Sequence, residues 1–150
     1  MPDIESRFVY LPQYFDLREF VPPEVYHALG VKAWTVMDPR IVWTMDQIRM
    51  WTKKAITINN WHLGGAFKYR GFRPRDYTET AAKYSQHFMG RAVDFDVSGM
   101  TADEFRKTMK MSQCIPAFKY VTACEEGVNW VHLDIRPVPK GMSAIIYFKG

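Results

Sequence analysis

Long apolar runs are missing from this chain of 150 residues. No stretch approaches the roughly 18 uninterrupted apolar residues of a membrane span, so none is expected. The start holds Asp3, Glu5 and Arg7 where a secretory leader would place a basic and then an apolar stretch. Synthesis in the cytoplasm without a signal peptide is the expectation. Cysteine is scarce: Cys114 and Cys124 stand ten apart and fit no C-x-x-C metal or redox pattern. Two free thiols in a reducing compartment are expected in preference to a disulfide. Charge of one sign is also limited. With 20 Lys+Arg against 16 Asp+Glu the net charge is +4, mild for a nucleic-acid binder, and none is expected as a partner. Repeats, low-complexity runs and Gly/Ser linkers are absent, which leaves nothing to divide the chain into several domains.

What is present suits one soluble globular domain. Hydrophobic residues make 47% and charged residues 24%, which excludes a disordered chain and a coiled coil. Aromatic residues, at 15%, can fill a dense core or line a groove. Residues 1–37 read as an N-terminal arm packing on the domain, with a short helix from Glu24 to Leu29 behind Pro22 and Pro23; residues 38–150 read as its core. Asp38 and Pro39 open a helix to about Lys53, with Ile41, Val42, Met45, Ile48 and Trp51 at helical spacing. Thr101-x-x-Glu104 is a capping box, and Phe105 and Met109 follow on one helical face.

Strands are expected at Ala55 to Ile58, Arg91 to Val97, Lys119 to Cys124, Trp130 to Arg136 and Ser143 to Phe148, with Glu126-Gly127 in a turn. Between them, Gly64 to Ser85 is a long basic loop with a possible helical turn at Glu79 to Tyr84. The fold class is therefore α+β, a small antiparallel β-sheet with helices packed on one side.

The chemistry is concentrated on two of the strands. Alternation sends Val93, Phe95 and Val97 to one face and Ala92, Asp94 and Asp96 to the other. Likewise Val131, Leu133 and Ile135 point inward while Trp130, His132, Asp134 and Arg136 point outward. His87 lies seven residues before Asp94, and Gly90 lets the chain turn so that the two side chains converge. Two histidines and a carboxylate around an open fourth position are the ligand set of a catalytic zinc, so His87, Asp94 and His132 are candidate ligands. The competing reading makes His87 a loop cap, pairs Asp94 with Arg91 or Lys119, and leaves His132 an ordinary sheet residue.

The run Ser85-Gln86-His87-Phe88-Met89-Gly90-Arg91-Ala92-Val93-Asp94 resembles the S-x-H-x-x-G-x-A-x-D signature of the zinc D-alanyl-D-alanine carboxypeptidase and L-alanyl-D-glutamate endopeptidase family. Trp130-Val131-His132-Leu133-Asp134 is similar to that family's second motif. The likeness covers residues 55 to 136 and is closest to small phage and prophage members that cut peptidoglycan stem peptides. It implies the α+β fold shared with the hedgehog signalling domain, Zn²⁺ held by His87, Asp94 and His132, and a monomeric hydrolase of the endolysin type. Such an enzyme would reach the cell wall by holin-type release or within a virion. A non-catalytic zinc module, binding the wall or building a virion, is the alternative.

Many members carry an acid three residues before the last histidine, where this chain has Asn129. By the resemblance Glu126 is the first candidate for the proton-accepting base and Asp134 the second, with Glu125 behind them; Asp134 could instead orient a ligand histidine. The family's substrate-carboxylate arginine is replaced by Asn59-Asn60-Trp61-His62, so Arg70 and Arg73 are candidates for that role. Trp61 and Trp130 could wall the cleft, and His62 could add a hydrogen bond. Ser85 is expected to support the His87 loop rather than to act as a nucleophile.

Overall fold

Asp38 and Thr101 each begin a helix in the way their side chains favour. In the computed structural model, which describes residues 9–79 and 83–150, Asp38 accepts from the Arg40 N–H at 3.0 Å ahead of a helix spanning Pro39–Thr52. Thr101 accepts from the Glu104 N–H at 3.1 Å, and the Glu104 carboxylate accepts from the Thr101 N–H at 2.7 Å, opening the helix Ala102–Ser112. With the short helix Pro23–Leu29 these are α1 (Pro23–Leu29), α2 (Pro39–Thr52) and α3 (Ala102–Ser112).

Five strands form one sheet: β1 (Ile56–Thr57), β2 (Ala92–Val97), β3 (Ala123–Glu126), β4 (Val131–Asp134) and β5 (Ile146–Lys149), in the order β1-β2-β4-β3-β5. Residues Val93, Phe95, Val131 and Leu133 join Ile41, Met45 and Ile48 of α2 and Phe105 and Met109 of α3 in one buried cluster. The apolar set of each strand therefore faces the helices, leaving Asp94, His132 and Asp134 on the other face. No helix among the described residues is long and apolar enough to cross a membrane. Cys114 is exposed and Cys124 buried, and both thiols are free.

Three expectations are corrected. The sheet is not wholly antiparallel: β5 runs parallel to β3, with Ala123 paired to Ile146 and Glu125 to Phe148. Following β4, the chain would lie antiparallel to it, but both edges of β4 are taken by β2 and β3. β5 instead takes the outer edge of β3, which runs antiparallel to β4, and so pairs there in parallel.

Residues 9–37 are not an arm laid on a finished domain. Phe20 and Val21 are fully buried, and Leu17, Val25, Ala33 and Trp34 enter the same core as α2 and the sheet. Buried Asp46 of α2 stitches this segment down, accepting from Tyr10 Oη at 2.8 Å and from the N–H groups of Gln13 and Tyr14 at 2.7 and 3.1 Å. A buried carboxylate needs such partners.

The third correction concerns Lys119 to Cys124. A 3₁₀ turn at Pro116–Phe118 precedes a strand that starts only at Ala123 and includes Glu126. Phe118 and Val121 reach the core from the irregular stretch before it. The possible helical turn at Glu79 to Tyr84 lies partly outside the described residues, as does the start of the chain.

Candidate metal centre

The sheet register brings the outward set together. Across β2 and β4, Asp94 pairs directly with His132, and Ala92 with Asp134. His87 arrives from a 3₁₀ turn, Gln86–Met89, whose first N–H groups include that of His87, donating to Ser85 Oγ at 3.3 Å. Gly90 ends that turn at φ +66°, and a Cβ there would collide with the Val36 carbonyl, so no other residue fits without displacement. The chain then enters β2 with His87 folded back over Asp94.

One ligand atom from each of His87, Asp94 and His132 lies within 4.8 Å of the others, and all three residues are buried. Each histidine has its distal nitrogen already committed. His87 Nδ1 lies 2.7 Å from the Gly71 carbonyl, which can only accept, so Nδ1 carries the proton. Its Nε2 then turns a lone pair toward Asp94 Oδ2, 3.3 Å away. His132 Nε2 lies 2.9 Å from Asp134 Oδ2 and donates to it, while Nδ1 lies 2.7 Å from Asp94 Oδ1. Two imidazole nitrogens and one carboxylate thus face a common point, a set that fits a divalent cation. The carbonyl and carboxylate behind the rings orient them as metal-binding histidines are usually oriented.

Electrostatics follow from the same contacts. Burial pushes the His87 pKa below its ordinary value, which keeps the ring neutral and able to ligate. For His132 burial acts in the same direction, but the hydrogen bonds to Asp134 and Asp94 outweigh it and raise the value to about 9, so without a cation Nδ1 holds a proton against Asp94 Oδ1, and a metal ion binds there by displacing it. Burial would raise Asp94, yet the two histidines beside it hold its carboxyl well below the usual range. Asp134 is likewise held low, against its burial, by hydrogen bonds from Arg136 and His132.

A cleft of about 430 Å³ opens over the three ligands, walled by Arg73, Ser85, Trp130, Arg136, Phe148 and Glu125 among others. The residues named from sequence divide accordingly. Arg73 and Trp130 line the cleft; Arg73 Nη2 reaches Asp94 Oδ2 at 3.0 Å and its Nε donates to the Tyr69 carbonyl at 2.8 Å. Ser85 lines it too while capping the His87 turn.

Arg70 does not reach the cleft: its guanidinium pairs with Asp96 at 2.7 Å and stacks 3.8 Å over Phe67, although its carbonyl accepts from the Asp94 N–H. Trp61 is also elsewhere, with Nε1 donating to the Val21 carbonyl at 2.9 Å and its ring packed on Tyr26. His62 sits beside Trp61, outside the cleft. The guanidinium on Asp94 is that of Arg73, where the competing reading had Arg91 or Lys119; Arg91 lies 3.8 Å from Asp38, and Lys119 lies over Trp43.

The candidates for proton transfer change places. Glu126 lies on the helix side of the sheet, paired with Lys110 of α3 at 2.6 Å, and does not line the metal-facing cleft. Neighbouring residues of a strand point to opposite faces, so it is Glu125 that enters the cleft. The Glu125 carboxylate makes no hydrogen bond or ion pair among the described residues. Asp134 is fully buried and spent: its oxygens hold His132 Nε2, the Arg136 N–H and the Arg136 fork at 2.6 to 3.1 Å. Its geometry suits orientation of His132. Arg136, whose guanidinium lies 4.4 Å over Phe148, and Phe148 itself are cleft residues that sequence reasoning did not select; only the outward position of Arg136 on its strand hinted at it.

No family model, curated protein or solved structure matches the chain. The functional reading therefore depends on the geometry of the cleft and on the motifs that build it.

Proposed function

We propose that this chain is a zinc-dependent peptidase that hydrolyses peptide bonds of bacterial peptidoglycan stem peptides. The observation that carries the proposal is the convergence of His87, Asp94 and His132 at the floor of a cleft that also receives the Glu125 carboxylate, which makes no hydrogen bond or ion pair among the described residues. Structural metal sites are closed by a fourth protein ligand, whereas a hydrolytic site keeps that position open and places a base beside it. The likeness of Ser85 to Asp94 and of Trp130 to Asp134 to the motifs of the zinc carboxypeptidase and endopeptidase family supports this reading, as it does a hedgehog-type fold.

Zinc, when bound, would polarise the scissile carbonyl and make water nucleophilic near neutral pH. The chain's own groups do the rest. Glu125 accepts a proton from the attacking water and delivers it to the leaving amine as the C–N bond breaks. Asp134 and the Gly71 carbonyl hold the two imidazoles in the ligating tautomers. Arg73 neutralises Asp94, Trp130 and Phe148 wall the cleft, and Arg136 adds positive charge at its side, which suits an acidic peptide. Asn129 is exposed on the β3–β4 hairpin, outside the cleft, so an acid at its position is not needed for proton transfer from Glu125.

The test is digestion of purified peptidoglycan of several chemotypes by zinc-loaded protein, with and without a chelator, reading new amino termini. Chelator-sensitive release that is lost in Glu125→Gln, with zinc content kept, supports the proposal. Zinc-loaded protein that releases nothing from any chemotype would overturn it in favour of a non-catalytic zinc module.

A further inference from the structure

The ladder between β3 and β4 stops early. Ala123 pairs with Asp134 and Cys124 with Leu133, and one more step would set Glu125 directly across from His132, yet the pairing does not continue. On its other side β3 stays laddered to β5 through Glu125 and Glu126. The break is therefore confined to the β3–β4 side, at the row that carries the ligand histidine and Glu125. In a continued antiparallel ladder these two residues would stand with Cα atoms about 4.5–5.5 Å apart, which leaves little space between their side chains for water and a scissile bond.

A buried guanidinium occupies the place of the missing ladder bonds. Arg106 of α3 is 4% exposed and reaches the hairpin from below. Its Nη1 donates to the carbonyl of Trp130 at 2.9 Å and to that of Glu125 at 3.4 Å, and its Nη2 donates to the carbonyl of Val128 at 2.7 Å. Asp103, one helical turn earlier, balances the charge at 2.7 Å from Nη2. One planar group thus ties the last residue before the hairpin that enters the cleft to the residue two before His132. A rigid fork of five donors can span these carbonyls at once, which an ammonium cannot.

We infer that Arg106 is a positioning residue for the hydrolytic site: by bridging the carbonyls of Glu125, Val128 and Trp130 it holds the β3–β4 hairpin apart and so sets the gap between the Glu125 carboxylate and His132. The inference rests on the reading of Glu125 as the proton acceptor. It assigns to α3, which contributes no side chain to the cleft, control over the spacing of the two groups that must act together.

The test compares Arg106→Lys and Arg106→Ala with the parent, each alone and combined with Glu125→Gln. With zinc stoichiometry and KM kept within about twofold, kcat is expected to fall roughly tenfold to a hundredfold in Arg106→Lys, the scale of an ångström-sized misplacement of a reacting group. In the Glu125→Gln background the same substitution is expected to add no further loss, because its effect passes through Glu125. Arg106→Lys is the variant that decides if Arg106→Ala fails to fold. Unchanged kcat in a folded Arg106→Lys, or losses that multiply in the double variant, would overturn the inference.

Cobalt-loaded protein separates this outcome from failure of the peptidase reading. If the parent releases no amino termini, that reading fails, and the pH dependence of the cobalt absorption band decides the positioning role. A shift in Arg106→Lys that matches Glu125→Gln and is absent from the double variant supports it; a band indifferent to Arg106→Lys overturns it.

Discussion

Asp94 and His132 face each other across neighbouring antiparallel strands, with Asp94 Oδ1 2.7 Å from His132 Nδ1. The pairing is direct in the register, so the two ligands are held by the sheet itself and not by loops. His87 completes the set from a turn whose shape depends on Gly90. Removing either histidine should therefore abolish stoichiometric metal binding while leaving a folded sheet. Metal analysis of His87→Ala and His132→Ala after dialysis checks this; full metal content in both variants would exclude the ligand assignment.

Asp134 lies in the cleft wall, fully buried with its oxygens taken by His132 and Arg136, and acts through His132. Asp134→Asn keeps the size of the side chain but weakens its hold on the ring, and metal affinity is expected to fall about 10–100-fold. Competition with a chromophoric chelator measures the change. An affinity equal to that of the parent would show that the ring keeps its orientation without the carboxylate.

Strand parity separates two adjacent glutamates. Glu125→Gln is expected to lower kcat by roughly 10²–10⁴-fold, the usual contribution of a positioned general base. Glu126→Gln, which loses only the half-exposed pair with Lys110, should stay close to the parent. Equal losses in the two variants would contradict the face assignment.

Gly90→Ala places a methyl group against the Val36 carbonyl at a backbone angle that L-residues rarely adopt. A cost of about 1–3 kcal/mol is expected from the strained backbone alone. Because the turn carries His87, metal affinity should drop together with the melting temperature. A loss of stability with unchanged metal binding would separate the turn from the site.

Asp16 caps the 3₁₀ turn Leu17–Glu19, and its hydrogen bonds with Arg18 hold its carboxyl below the ordinary 3.8. With the folded value depressed, its contribution is present above the unfolded value and is lost as the pH falls through the folded one. Asp16→Ala should cost about 1 kcal/mol at neutral pH, mostly as a lost cap, since the ion pair is half-exposed. That difference should shrink as the pH is lowered below 3.8. Urea unfolding at pH 7 and pH 3 checks the trend; a gap that widens in acid would reverse the sign.

Much of the site was legible before any coordinates, for local reasons. A period of two assigned Asp94, His132 and Asp134 to the outer face, and Asp38 and Thr101 marked their helices through bonds made within three residues. Such signals depend on neighbours in the chain. Arg70 and Trp61 were misplaced because their partners, Asp96 and the Val21 carbonyl, are 26 and 40 residues distant. No spacing rule reaches across such gaps.

The chain by itself determined which residue types meet: two histidines and a carboxylate, placed by alternation and by Gly90, above a helix-packed apolar face. Only the tertiary structure decided which acid joins them. Parity along β4 cannot be carried back to β3, because the hairpin between them breaks the count, and β3 begins later than its composition suggests. A shift of one residue exchanges faces, and so Glu125 entered the cleft while Glu126 went to Lys110. The direction of β5 was decided in the same way, by its place on the outer edge of β3 once β2 and β3 had taken both sides of β4.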